Sequence, residues 1–327
     1  QRFRQLYRHR TTIMLKQFLL ISVLWFVIIT ELRANNVYIN QVGDNADIEI
    51  TQDGDNNRVS RKEDTVTSTP NKATFSGKNQ TLTTTQTGDN NFIGLYKNTY
   101  GSDTQSSSTM TATQNGNNNI MRLDNHGDDN NITAEQNTYG STMDLEIDYN
   151  NNDVIAKQIC HDLASCNADN MVLNMIGNNN DVKMGQGYKI SSGGSYSYDG
   201  DEHGGHNMDL YINGDDNNVI LSQRANNTTT DHYMDVNINS DNNTVYALQQ
   251  QNQDKSLTLT INNDDNDVSI NQQKSGGTQT ATITLGGLYG TDLNLTMGSN
   301  STTGAGAYSI VQDCQTVGGC AVSVTQD

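Results

Sequence analysis

Residues 109–136 read TMTATQNGNNNIMRLDNHGDDNNITAEQ, and the alternation inside them decides the fold. Met110, Ala112 and Gln114 occupy every second position before Gly116 opens a turn. Asn119, Met121, Leu123 and Asn125 continue in the same frame up to Gly127. Asn130, Ile132, Ala134 and Gln136 then make a third pass. A two-residue period with one apolar face is the pattern of a half-buried β-strand, because successive side chains point to opposite faces. GNNN and GDDN are turn sequences, since Gly and Asn tolerate the positive φ that a tight reversal demands. The stretch predicts three strands and two turns.

Working outward, the half-unit N-x-φ-x-φ-x-Q (φ apolar) recurs through the chain. It stands at Asn130 to Gln136, Asn152 to Gln158 and Asn180 to Gln186, and again at Asn217 to Gln223, Asn243 to Gln249 and Asn266 to Gln272. Looser copies begin at Ala46, Asn57 and Asn91. A partner half-unit precedes each turn, as in Leu82, Thr84, Gln86 or Met143, Leu145, Ile147. From Met143 onward its last position is Ile or Met rather than Gln, which predicts that one amide ladder is only partial. Four further strands are expected around Ile283, Leu295, Ile310 and Val324. The expectation is twenty-two strands in eleven two-strand rungs, with polar loops over 64–79, 98–107, 159–168 and 187–205.

One strand–turn–strand unit cannot bury its apolar face alone. Stacking successive units in register buries a continuous strip and pairs the backbone groups above and below. Stacked amides at fixed inward positions donate and accept along such a stack, as in cross-β ladders. The predicted fold is therefore all-β, a solenoid of two facing parallel sheets over residues 35–327.

Residues 1–34 stand apart. Met14 and Lys16 precede an apolar run over 18–29, and Leu32, Arg33 and Ala34 end it at a small residue. That run is short for a membrane span and reads as a secretory signal peptide cleaved near Ala34, with no transmembrane segment left in the mature chain. The alternative is a retained anchor. The leader holds six of the nineteen basic residues and one of the thirty-seven acids, so residues 35–327 carry a formal charge of −23. With no basic patch left, nucleic-acid binding is disfavoured.

Gln114-Asn115-Gly116-Asn117-Asn118-Asn119 completes Q-x-G-x-x-N, as do the stretches from Gln86 to Asn91 and from Gln52 to Asn57. Followed by x-φ-x-φ-x-Q, this resembles the curlin repeat of curli subunits. The resemblance implies inward ladders at Gln41, Gln52, Gln86, Asn91, Gln114, Asn119, Asn130, Gln136, Asn152, Gln158, Asn180, Gln186, Asn217, Gln223, Asn243, Gln249, Asn266 and Gln272. It also implies a secreted, cell-surface subunit that self-associates into extracellular amyloid fibres for adhesion and biofilm. Its implied partners are a nucleating subunit and an outer-membrane curli-type secretion channel. Longer loops, more Asp in the turns and four cysteines depart from the family pattern.

Cys160 and Cys166 flank five residues, as do Cys314 and Cys320, and each first cysteine follows a strand-ending Gln by two. Equal spacing behind a secretory leader points to two local disulfides rather than metal sites. The loop from Asp201 to His206 carries two His and two acids, but solvation accounts for them without a metal. The acidic turns at Asp215-Asp216 and Asp264-Asp265 lack the calcium β-roll repeat. T-x-T runs over 81–85 and 280–284 would suit a flat ice-binding face, yet they do not persist along the sequence from rung to rung. No catalytic signature, phosphate loop or cofactor motif is present in the sequence. The function expected is a non-enzymatic fibre subunit. The alternatives are a monomeric solenoid binding a partner or carbohydrate through its long loops, and a polysaccharide-acting β-helix enzyme.

Overall fold

In the computed structural model, each long strand with the two-residue apolar period lies parallel and in register with its counterpart one repeat away, as Val154 does with Ile132 and Val182. The structure describes Val37 and residues 40–42, 44–54, 57–59, 73–76, 81–88, 90–96, 108–115, 118–124, 130–136, 141–147, 151, 153–158, 169–176, 179, 181–187, 189–190, 196–197, 206–213, 216, 218–224, 231–239, 244–250, 254–262, 267–273, 278–287, 292–298, 306–314 and 321–326.

In chain order the strands are β1 (Asn40–Val42), β2 (Asp47–Asp53), β3 (Ala73–Ser76), β4 (Thr81–Thr87), β5 (Phe92–Tyr96), β6 (Ser108–Asn115), β7 (Ile120–Arg122) and β8 (Asn130–Gln136). Then come β9 (Thr142–Ile147), β10 (Asp153–Gln158), β11 (Asp169–Ile176), β12 (Asp181–Gln186), β13 (Lys189–Ile190), β14 (Tyr196–Ser197), β15 (His206–Asn213) and β16 (Asn218–Arg224). The last are β17 (His232–Ile238), β18 (Thr244–Gln250), β19 (Lys255–Ile261), β20 (Asp267–Gln273), β21 (Gln279–Gly287), β22 (Asp292–Met297), β23 (Gly306–Cys314) and β24 (Val322–Gln326). The odd strands other than β13 form one eleven-stranded sheet, and the even strands other than β14 form another. This is an all-β, parallel β-solenoid.

The core is the strip that alternation promised. On the odd sheet Met143, Leu145, Ile147, Met171, Met175 and Met208 are completely enclosed, and on the even sheet Ile132, Ala134, Val154, Ala156 and Val182 face them. Each large side chain so enclosed contributes roughly 1.5–3 kcal/mol relative to exposure. A charge at one of these positions would sit in the dry strip with no partner.

Turn chemistry sets the corners. Asn45, Asn118, Asn151, Asn179 and Asp216 all adopt positive φ of 55–60°, the left-handed conformation that Asn and Asp accept best after Gly. Gly88 is required twice over: its φ is 137°, and a Cβ there would lie 1.8 Å from the carbonyl oxygen of Gly54 in the turn below.

Several expectations are corrected. β3 lies inside the stretch expected to be a loop over 64–79, pairing β1 and β5. The half-unit beginning at Asn57 is not one continuous strand: Asn57 and Val59 bond to Phe92 of β5, and β3 supplies the other half of that level. The 187–205 loop contains the hairpin β13–β14. Threonines do persist across rungs, since Thr81, Thr83 and Thr85 stand in register with Thr109, Thr111 and Thr113, and Thr258 and Thr260 with Thr282 and Thr284. A two-residue period cannot show which distant strand becomes the neighbour, and the register does.

Candidate functional site

The even strands end at one corner of the solenoid, where nine glutamines fall on a single column. Gln52, Gln86, Gln114, Gln136, Gln158, Gln186, Gln223, Gln249 and Gln272 are each in register with the next. All are buried, none more than 5 % exposed. The partial ladder expected from Met143 onward is thereby corrected. Positive-φ turn residues follow the even strands at Gly54, Gly88 and Asn118, but precede them at Asn151, Asn179 and Asp216, as Asn45 does before β2. Early pre-turn and late post-turn glutamines consequently share one sheet and one column.

Both amide hydrogens are used along much of this column. Nε2 of Gln158 donates to Oε1 of Gln136 at 3.0 Å, Gln186 to Gln158 at 2.9 Å, Gln223 to Gln186 at 2.9 Å, Gln249 to Gln223 at 2.9 Å and Gln272 to Gln249 at 2.8 Å. The same nitrogens also donate across the corner to backbone carbonyls of the odd strands. Examples are Gln158 to Asn170 at 3.0 Å, Gln186 to Asn207 at 2.8 Å and Gln223 to Tyr233 at 2.7 Å. Each glutamine therefore ties its own rung and the rung before it, which is how a buried amide avoids the cost of an unmade bond. The polarity is uniform: Nε2 faces the earlier rung and Oε1 the later one.

The ladder has ends. Gln86 and Gln114 reach Phe92 O and Ile120 O, at 3.0 and 3.1 Å, but their Oε1 atoms have no donor. At the other end Met297 stands in register above Gln272, and Gln272 Oε1 is likewise without a donor. Gln326 resumes the column above Met297.

The remaining expected ladder residues do not join this column. Gln41 lies on the odd sheet, in register with Phe75. Asn91 and Asn119 are buried where β5 and β7 begin, with Asn57 in the equivalent place, and they line the same corner from the opposite sheet. Asn130 heads β8 at the other corner, and Asn152, Asn180, Asn217, Asn243 and Asn266 lie outside the described residues. The expected single set of Asn positions is thus split between two corners, because the half-units that carry them belong to different sheets. Cys160, Cys166 and Cys320 also lie outside the described residues, as do 201–205 of the acidic loop; Cys314 ends β23. Among the described residues no group of three or more His, Cys, Asp or Glu is placed to hold a metal, and no helix is long and apolar enough to cross a membrane.

Sequence reading missed what continues the Asn57, Asn91, Asn119 positions. The residue one strand position earlier than the first apolar pair runs Ser141, Asp169, His206, His232, Lys255 and Gln279 along the sheet. His232 is 0 % and Lys255 1 % exposed. Burial pushes the Lys255 amine down to about 8, with the Asp254 carboxylate pulling the other way. Extending the alternation one step before Met208, Met234 and Leu257 would have found these residues.

On the outer face of the odd sheet, a groove of about 420 Å³ crosses β11, β15 and β17, lined by Val172, Asn174, Asp209, Tyr211, Asp235 and Asn237 among others. Asp209 and Asp235 are in register, and burial followed by the charge of Asp235 raises the Asp209 carboxyl above its ordinary range. Two other outward acids are paired with cations, Asp144 with Arg122 at 3.1 Å and Asp181 with Lys183 at 3.1 Å. No family model, curated protein or solved structure matches the chain.

Proposed function

We propose that this chain is a non-enzymatic structural subunit that stacks end to end into extracellular, curli-like fibres serving adhesion and biofilm. The observation that carries the reading is the in-register glutamine column, with amide bonds running the same way from Gln136 to Gln272. A ladder of this kind adds rungs without changing geometry, whether the next rung comes from the same chain or another. Secretion, a nucleating subunit and a curli-type channel belong to the same proposal, through the curlin resemblance.

Seeded elongation tests it. Sonicated fibre ends should abolish the lag of fresh protein, and a helical cap fused after Asp327 should block one growing end. Salt should speed growth by screening the negative charge. Unseeded and seeded rates that coincide, with the capped protein polymerising equally fast, would refute end-to-end stacking.

One observation favours a second reading. The groove around Asp209, Asp235 and Tyr211 combines an in-register carboxylate pair with aromatic surface, which suits a glycan or another hydroxyl-bearing ligand. Binding of oligosaccharides that is lost in Asp209→Asn, with no fibres formed, would select it.

A further inference from the structure

The outer face of the even sheet carries threonines on consecutive rungs. Thr83, Thr111 and Thr133 stand in one register column on β4, β6 and β8, and Thr51, Thr85 and Thr113 in the next column on β2, β4 and β6. Thr81 and Thr109 begin a third. On each strand they alternate with buried residues, Leu82, Thr84 and Gln86 on β4 and Met110, Ala112 and Gln114 on β6, so the array points away from the core. Among the described residues no hydrogen bond engages the hydroxyls of the array. We propose that this threonine lattice is a binding face for ice.

The spacing selects the ligand. Neighbouring strands repeat at about 4.8 Å, and alternate residues of one strand at about 6.6–6.8 Å. Hydroxyls and methyls of the array therefore form a near-rectangular grid whose two repeats are close to those of water oxygens on a prism face of hexagonal ice. A dissolved ligand has no two-dimensional repeat to match, whereas a crystal face does. Threonine suits the task because its β-branched side chain is stiff at χ1. Identical residues on in-register parallel strands then lose little freedom on binding. Each hydroxyl both donates and accepts, so it can take the place of a lattice water, with the methyl filling the gap beside it. Charge is also kept off the grid. The residues 35–327 carry a formal charge of −23, yet acids meet the array only at its edges, as Asp47, Glu49 and Asp53 on β2 and Glu135 on β8. Further along the same face β10 and β12 place Asp153, Lys157, Asp181 and Lys183 at outward positions. A charged side chain holds its own hydration shell and resists giving it up. The smaller patch of Thr258, Thr260, Thr282 and Thr284 on the odd sheet offers fewer anchors, and the neighbouring Thr280 hydroxyl is already committed to Lys255 O at 3.2 Å.

This inference concerns one face of the folded chain and does not rest on fibre assembly. The test is ice-affinity partitioning of the full chain, fluorescently labelled and kept at a concentration where light scattering shows no assembly. An ice crystal is grown slowly from the solution, and the protein taken into the ice is compared with an acidic globular control of similar size. The wild-type chain should be enriched severalfold over the control and should facet growing crystals. Thr83→Lys and Thr111→Lys, each at the centre of the array, should fall to the level of the control with an unchanged circular dichroism spectrum. Thr282→Lys on the odd sheet should partition as the wild type does. Exclusion of the wild-type chain at the level of the control, uptake retained in both central variants, or uptake lost equally in Thr282→Lys would overturn the proposal. Should a lysine variant not fold, Thr83→Asn removes hydroxyl and methyl without adding charge, and it too should lower uptake; unchanged uptake would count against the array.

Discussion

Replacing glutamines of the ladder by leucine, which has a similar volume, should destabilise the chain in a graded order set by the bonds each one makes. Gln186→Leu removes the donor of Gln158 Oε1 and of Asn207 O, and the acceptor of one Gln223 amide hydrogen. Three buried groups lose a partner, each at about 1–3 kcal/mol, so a loss of about 3 kcal/mol or more is expected. Gln272→Leu strips a donor from Gln249 Oε1 and Thr280 O, but it also deletes an Oε1 that had none. Its cost should be about 1 kcal/mol. Gln114→Leu takes a donor only from Ile120 O and deletes another unpaired Oε1, so its effect should be near zero. Urea unfolding followed by circular dichroism, with hydrogen exchange of β12 alongside, measures the series. Equal losses at all three sites, or a loss at Gln114 matching that at Gln186, would refute the reasoning that ladder bonds rather than side-chain volume set stability.

Other consequences follow from the same corner. Met297→Gln should restore a donor to Gln272 Oε1 and join it to Gln326, raising stability above that of Met297→Leu by about 1 kcal/mol in urea unfolding. Lys255 is charged in the folded core below its depressed value of about 8 and in the unfolded chain up to its ordinary 10.5. Stability should therefore rise by about 3 kcal/mol between those two pH values, and Lys255→Met should abolish that rise in thermal melts. Mass spectrometry of exported protein should find Cys160 linked to Cys166 and Cys314 to Cys320; crossed pairs or free thiols would overturn the local-staple reading.

Much of the solenoid is legible because alternation and turn residues are local properties. The apolar frame of Met143, Leu145 and Ile147, or of Val154 and Ala156, reports its own burial without any knowledge of neighbours. Partner choice is not local. Gln41 and Gln52 both read as inward ladder positions, yet they fall on different sheets because the tight turn lies between β1 and β2. The inserted residues before β3 hide a strand whose pairing with β1 only the three-dimensional register reveals. His232 and Lys255 escaped because a charged side chain at an alternating position reads as the end of an apolar face. Their burial comes from the closed corner, which the ladder glutamines build from the other sheet.

The claim that this solenoid is a fibre-forming unit is tested most directly by electron microscopy and fibre diffraction of purified residues 35–327 after standing in buffer. The account predicts unbranched fibres with a meridional reflection near 4.8 Å and an equatorial one near 10 Å, the strand and sheet spacings of a continued stack. Protein that remains a dispersed monomer, or fibres lacking the strand reflection along their axis, would contradict it.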